Sequence, residues 1–184
     1  MKLVNPSISL LPKYMSALRR GWTPEFDDDM KSAQNILTYI EENRDVFLDS
    51  LNNPDGKGSP IILDDGIAVP RLSYTRYWMI DNDYVGEINL RWQKGTSDLP
   101  AYCLGHIGYA VVPWKRGNGY AYLALKQLKK MAKEHKLDWL DISMDVSNIA
   151  SRRTAEKAGA EFVKQFCAGP EYGNVEAVLY RLVL

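Results

Sequence analysis

Hydrophobic residues along this chain follow a helical spacing first, then a strand spacing, then alternate between the two. After a short segment around residues 2–4, Leu10, Leu11, Tyr14, Met15 and Leu18 form a helical stripe that Gly21 ends. A second stripe, Ile36, Leu37, Ile40, Phe47, Leu48 and Leu51, leaves an acidic outer face. Its predicted start lies near Asp27, Asp28 and Asp29, because acidic side chains suit the positive end of a helix. Residues 52–60, rich in Asn, Gly and Pro, read as a loop.

From there the period shortens to two. Residues 69–80 and 84–92 are predicted strands, joined through Asp81, Asn82 and Asp83 as a hairpin. A polar loop, 93–101, leads to a strand over 103–112, which Pro113 closes because proline cannot extend a paired ladder. Residues 119–136 form the clearest helix, with Ala121, Ala124, Leu125, Leu128 and Ala132 inward and Lys126, Lys129, Lys130 and Lys133 outward. A strand over 139–146, a helix over 149–158 ended by Gly159, and strands over 161–168 and 175–183 complete the chain. The order predicts an α/β fold, one mixed sheet in a single domain over 1–184, with residues 1–55 mainly helical.

Composition narrows the function classes. The 184 residues are 46% hydrophobic and 25% charged, ordinary globular usage. Surface scaling gives about 9,000 Å² exposed when folded against about 30,000 Å² unfolded, enough for a substantial core. Lys+Arg and Asp+Glu both number 23, so the excess of positive charge expected of a nucleic-acid binder is missing. Cys103 and Cys167 have no paired spacing, which supports neither a disulfide framework nor a metal cluster. No run approaches a membrane span and no apolar leader opens the chain, so the expected setting is soluble and cytoplasmic, with no membrane partner.

The segment with the most chemical content runs from Tyr109 to Ala121. A strand ends at Pro113, and a turn containing Gly117 and Gly119 opens directly into a helix. Free N–H groups at a helix start, with the helix dipole, make an anion site, and glycines let the backbone approach a phosphate. The spacing is neither G-x-G-x-x-G nor a P-loop.

At this point the sequence resembles the GNAT acetyltransferase superfamily. Arg116, Gly117, Asn118, Gly119, Tyr120 and Ala121 match that family's R/Q-x-x-G-x-G/A pyrophosphate motif. Asn148, followed by Glu156, Lys157, Ala158 and Gly159, matches its second signature. The local patterns from His106 to Tyr109 and from Asn148 to Ser151 look most like the branch of ribosomal-protein N-terminal acetyltransferases and their bacterial relatives. The resemblance implies a GNAT-like domain with about six to seven strands and about four helices, and an acetyl-CoA-binding core over 103–160. It implies acetyl-CoA as co-substrate and no metal, with Val111 and Val112 offering main-chain groups to the pantetheine arm. The N–H groups from Arg116 to Ala121 would hold the pyrophosphate. The acceptor would be a small-molecule or peptide amine, and a homodimer is compatible with the family. The alternative is a non-catalytic acyl-CoA-binding regulatory module, suggested by Ala155, which stands where many members carry a tyrosine acid.

Direct attack by an amine needs a base, a stabilised oxyanion and a proton for the thiolate. His106 is the first candidate base, since imidazole accepts a proton near neutral pH. Glu87 on the preceding strand is the second. Ser151, one turn into the helix after Asn148, could bond the thiol, and a main-chain N–H on the 109–112 strand would meet the oxyanion. Trp78, Trp92, Trp114 and Trp139 read first as core or pocket wall. The acidic positions Asp27 to Asp29, Glu41 and Glu42 read first as a solvated helix face, with attraction of a cationic substrate as the alternative.

Overall fold

A computed structural model describes residues 1–24, 30–63 and 65–184. In chain order the elements are β1 (Lys2–Val4), α1 (Leu11–Arg19), α2 (Met30–Ser50), β2 (Asn52–Asn53), β3 (Ile61–Ile62), β4 (Ala68–Val69), β5 (Ser73–Asp81) and β6 (Asp83–Trp92). There follow β7 (Ile107–Val111), α3 (Tyr120–Ala132), β8 (Trp139–Asp145), α4 (Ile149–Lys157), β9 (Glu161–Cys167) and β10 (Glu176–Val183). The acidic segment Asp27 to Asp29 lies outside the described residues. Glu41 and Glu42 are exposed, and Glu41 lies 3.9 Å from the Arg19 guanidinium.

Strands β1, β5, β6 and β7 pair in that order, with β2 also on β5; β8, β10 and β9 form a second ladder. Period-two alternation sends neighbouring residues to opposite faces. Thus Trp78 packs with Tyr14, Leu18, Trp22, Ile40 and Tyr84 beneath α1 and α2, and its ring stacks on Tyr14 at 4.9 Å. Met79, Ile88, Leu90 and Ile107 pack on the other face with Leu125 and Leu128 of α3 and with Leu140 and Ile142 of β8. The sheet therefore carries helices on both faces, and two cores hold the strand ends that build the site.

Several predicted boundaries move. Ala68 and Val69 pair with Ile61 and Ile62 as a separate small hairpin, and β5 begins only at Ser73. Pro70 lies between them, where it cannot donate to a ladder. The predicted loop over 52–60 contributes Asn52 and Asn53 as a short strand on β5. The strand predicted from residue 103 starts at Ile107, where its pairing with β6 begins. The long helix ends at Ala132 and passes through a tighter turn, Lys133–His135, before Lys136 takes a left-handed conformation at φ 58°. The hairpin through Asn82 is as expected: Asp81 pairs with Asp83, and Asn82 adopts φ 60°.

Candidate active site

The two ladders touch at one point and then part. The His106 N–H donates to the Asp141 carbonyl at 2.8 Å, and the Asp141 N–H donates to His106 Nδ1 at 2.9 Å. Beyond this link, among the described residues, residues 107–111 share no main-chain hydrogen bond with residues 142–146. A gap therefore opens between the ends of β7 and β8. The Arg91 N–H bonds the His106 carbonyl and the Val112 N–H bonds the Val85 carbonyl, so even-numbered residues of this strand face β6. In an antiparallel ladder the alternate residues face away, which leaves the main chain of Tyr109 and Val111 on the open edge.

This corrects one expectation. Val112 has no free N–H for a ligand, because that group donates to the Val85 carbonyl at 2.9 Å, and its carbonyl already accepts from Lys115 at 2.9 Å. Val111 remains on the open edge, where the Arg116 Nε donates to its carbonyl at 3.0 Å.

The glycine turn follows at the mouth of the gap. Gly117 and Gly119 adopt φ 78° and 73°, and a Cβ built on either meets nothing within 4 Å. Glycine is needed there for backbone conformation rather than for crowding. The Arg116 N–H is committed to the Pro113 carbonyl at 3.2 Å, so the set of free donors lies one residue later than the motif suggests. The N–H groups of residues 117–122 have no main-chain acceptor among the described residues, and they converge at the N-terminus of the 13-residue α3. Asn118 braces the turn from within: its Nδ2 donates to the carbonyls of Lys115 and Arg116, both at 3.1 Å. The Tyr120 hydroxyl donates to Asp81 Oδ2 at 2.6 Å, which fixes the first turn of α3.

Across the gap, Asn148 caps α4, its Oδ1 accepting the Ser151 N–H at 3.1 Å. The Ser151 carbonyl in turn accepts the Tyr109 hydroxyl at 3.3 Å. Burial pushes the Tyr109 phenol up from its ordinary range, against the lowering effect of its bonds to Ser151 and Thr154. Ala155 is fully buried in the core beneath α4.

Glu87 lies on the other face of the sheet, opposite Ala110. It is 5% exposed; Oε1 accepts from Arg76 Nη1 at 2.7 Å and Oε2 from the Tyr84 hydroxyl at 3.2 Å. Residues three apart in a regular strand point to opposite faces. A bulge at residues 85 and 86 puts Tyr84 and Glu87 on the same one. Gly86 makes the bulge feasible, because a Cβ there would collide with the Ala110 carbonyl. Burial pushes the Glu87 carboxyl up, and Arg76 and Tyr84 oppose that shift.

His106 sits at the closed end of the gap, fully buried. Burial pushes its pKa down to about 4, against the raising effect of Asp141. A neutral imidazole has one lone pair, and here it accepts the Asp141 N–H. The other nitrogen, Nε2, is buried and makes no hydrogen bond of good geometry, although the Ser97 main chain lies close enough to favour its N–H. Sequence reasoning missed Tyr109, Arg76 and Tyr84. Tyr109 lies within a motif already noted; Arg76 and Tyr84 join Glu87 only through strand register and the bulge.

Among the described residues no group of His, Cys, Asp and Glu could hold a metal ion, and no helix is long and apolar enough to cross a membrane. Both cysteines are free. The family model described as an acetyltransferase (GNAT) domain matches residues 64–161, more than half of the chain. No curated protein matches in sequence. Among solved structures, the microcin C7 self-immunity acetyltransferase MccE, in complex with acetyl-CoA and AMP, superposes with a TM-score of 0.60 at 12% identity, over 99% of this chain and 91% of that one. The Salmonella typhimurium acetyl transferase that modifies the N-terminal serine of ribosomal protein L7/L12 superposes at 0.61 and 15% identity, over 99% and 94%. A Vibrio cholerae spermidine N-acetyltransferase, SpeG, gives 0.56 at 10% identity, over 100% and 95%. At these identities the likeness is one of fold.

Proposed function

The chain belongs to the GNAT acetyltransferase family, and from that premise we propose that it transfers the acetyl group of acetyl-CoA directly to a primary amine, in the cytoplasm, with its acceptor side on the Glu87 face of the sheet. The observation that carries this reading is the run of unpaired N–H groups over residues 117–122, set where β7 leaves its neighbour. Such donors fit a pyrophosphate, and the open edge at Val111 fits the amides of a pantetheine arm. Acetyl-CoA supplies the acetyl group as a thioester.

Glu87 is the base in this reading. Burial raises the basicity of its carboxyl, while Arg76 and Tyr84 favour the charged form, the kind of balance that tunes a carboxylate for acid–base work. The acceptor amine loses its proton to Glu87, directly or through one water, as the new C–N bond forms and the C–S bond breaks. His106 takes a positioning part: it pins β7 to β8 at the point where they diverge, and its one lone pair is engaged. The departing thiolate takes a proton on the α4 side, where Tyr109 and Ser151 meet. Asn148 holds that helix start in place.

The test is thiol release from acetyl-CoA with a panel of primary amines, run beside calorimetry with CoA. Turnover with at least one amine is expected. CoA binding without turnover on any amine would favour the regulatory reading, and no CoA binding would end the proposal.

A further inference from the structure

The sheet face that carries Glu87 holds more positive charge than that carboxylate balances. Register places Arg76 across from Asn89, Asn89 across from Gly108, and Arg91 beside His106. Asn89 Oδ1 accepts from Arg91 Nη2 at 3.1 Å and from the Gly108 N–H at 3.1 Å. The Arg91 guanidinium is thereby folded back over β7. A Cβ on Gly108 would lie 3.3 Å from Arg91 Nη2 and 3.2 Å from Asn89 Nδ2, tighter than ordinary contact, so the bare glycine is what gives the guanidinium its place.

Among the described residues no carboxylate lies within ion-pair distance of Arg91. The nearby Asp141 is held by Arg181 through two bonds, 2.7 and 2.8 Å. Arg76 gives one nitrogen to Glu87, while its Nε is buried without an acceptor. His106 is neutral at physiological pH. Arg91, Asn89 and Gly108 remain partly exposed, so a ligand can reach them. Guanidinium groups bind carboxylates and phosphates through paired, charge-assisted hydrogen bonds.

We propose that Arg91, with Arg76 beside it, binds an anionic group on the acceptor, so the substrate is a primary amine that also carries a carboxylate or phosphate. This rests on the placing of the amine at Glu87. Glu87 faces Ala110 and Asn89 faces Gly108, two residues along the strand, a distance of about 7 Å. That is longer than the span from an amino acid's nitrogen to its own α-carboxylate. It suits an ω-amino acid, an aminoalkyl phosphate or a peptide N-terminus followed by an acidic residue. A polyamine would set a second ammonium against Arg91 and is disfavoured.

The experiment compares kcat/KM for three matched pairs: 4-aminobutyrate and its amide, 3-aminopropyl phosphate and 3-aminopropanol, and the C-terminally amidated peptides Gly-Asp-amide and Gly-Asn-amide. At least one anionic member is expected to exceed its neutral partner tenfold or more, and the responding pair identifies the source of the anion. In Arg91→Met the ratio should fall close to one, and in Arg91→Glu it should invert, with 1,4-diaminobutane gaining. Gly108→Ala should lower the ratio without changing any charge. A ratio unchanged by Arg91→Met, or a wild-type preference for the diamine, overturns the proposal. A binding arm separates this outcome from failure of the amine reading: 4-acetamidobutyrate and 3-acetamidopropyl phosphate, which carry the anion and no amine, are titrated by protein NMR. Tighter binding of either to wild type than to Arg91→Met supports the anion site even if no amine is acetylated. Equal binding of both, with no turnover, removes it.

Discussion

The Tyr109 hydroxyl donates to the Ser151 carbonyl oxygen at 3.3 Å, a hydrogen bond that joins β7 to α4. It joins an open-edge strand residue to the helix start that Asn148 caps, so two motifs far apart in sequence meet at one contact. Burial keeps the phenol protonated well past neutrality, so it is available as a donor.

Tyr109→Phe removes that donor while preserving the ring. Turnover is expected to fall about tenfold to a hundredfold, within or somewhat below the usual range for acid–base groups. Affinity for CoA should change little. Steady-state kinetics with calorimetry on the same variant checks this; an unchanged kcat would leave Tyr109 a packing residue.

Glu87→Gln should lower kcat/KM by about a hundredfold or more and abolish the acidic limb of the pH profile. The wild-type limb should lie above the ordinary carboxylate range, because burial raises the Glu87 pKa. Arg76 opposes that rise, so Arg76→Met should move the limb to higher pH. A limb that stays put in both variants would assign it to the acceptor amine or to another group.

His106 should appear in stability rather than in catalysis. Its pKa of about 4 when folded lies below its unfolded value of 6.5, so the unfolded chain binds more protons between these values. Stability is then fully present above pH 6.5 and is lost as pH falls toward 4, by up to about 3 kcal/mol. His106→Gln should flatten that part of a Tm-against-pH curve. If the curve keeps its wild-type slope, another group accounts for the acid sensitivity.

Gly119 adopts φ 73° at the start of α3 with open space around its Cα. Gly119→Val therefore acts through backbone strain and displaced N–H donors. CoA affinity should drop at least tenfold, about 1.4 kcal/mol, in calorimetry. Gly119→Ala should drop it less, being unbranched in the same strained conformation. Equal affinity in all three proteins would remove the turn from the cofactor site.

Asn148→Ala loses the side-chain cap of α4, and a stability loss of about 1 kcal/mol is expected in denaturant unfolding. Turnover should fall with it, since Ser151 and its contact with Tyr109 hang from the same turn. A variant as stable as wild type would show that packing alone holds α4.

Much of this protein is written locally. The stripe from Ala124 to Ala132 specifies the buried face of α3, and Gly117 and Gly119 specify the turn before it, because each signal depends on residues within a turn or two of one another. The same holds for the hairpin at Asn82 and the cap at Asn148. The chemistry of the site was decided at longer range. Tyr84 meets Glu87 because pairing with β5 places a bulge at residues 85 and 86, and Arg76 meets it through cross-strand register. His106 looked available as a base until β8 supplied the Asp141 N–H that engages its lone pair. Val112 and Arg116 lost their free N–H groups to the Val85 and Pro113 carbonyls, while Arg91 found its place over Gly108. Periodicity says which way a residue faces within its own element. Which group it then meets depends on the pairing of strands distant in the chain, and that arises only when the sheet assembles.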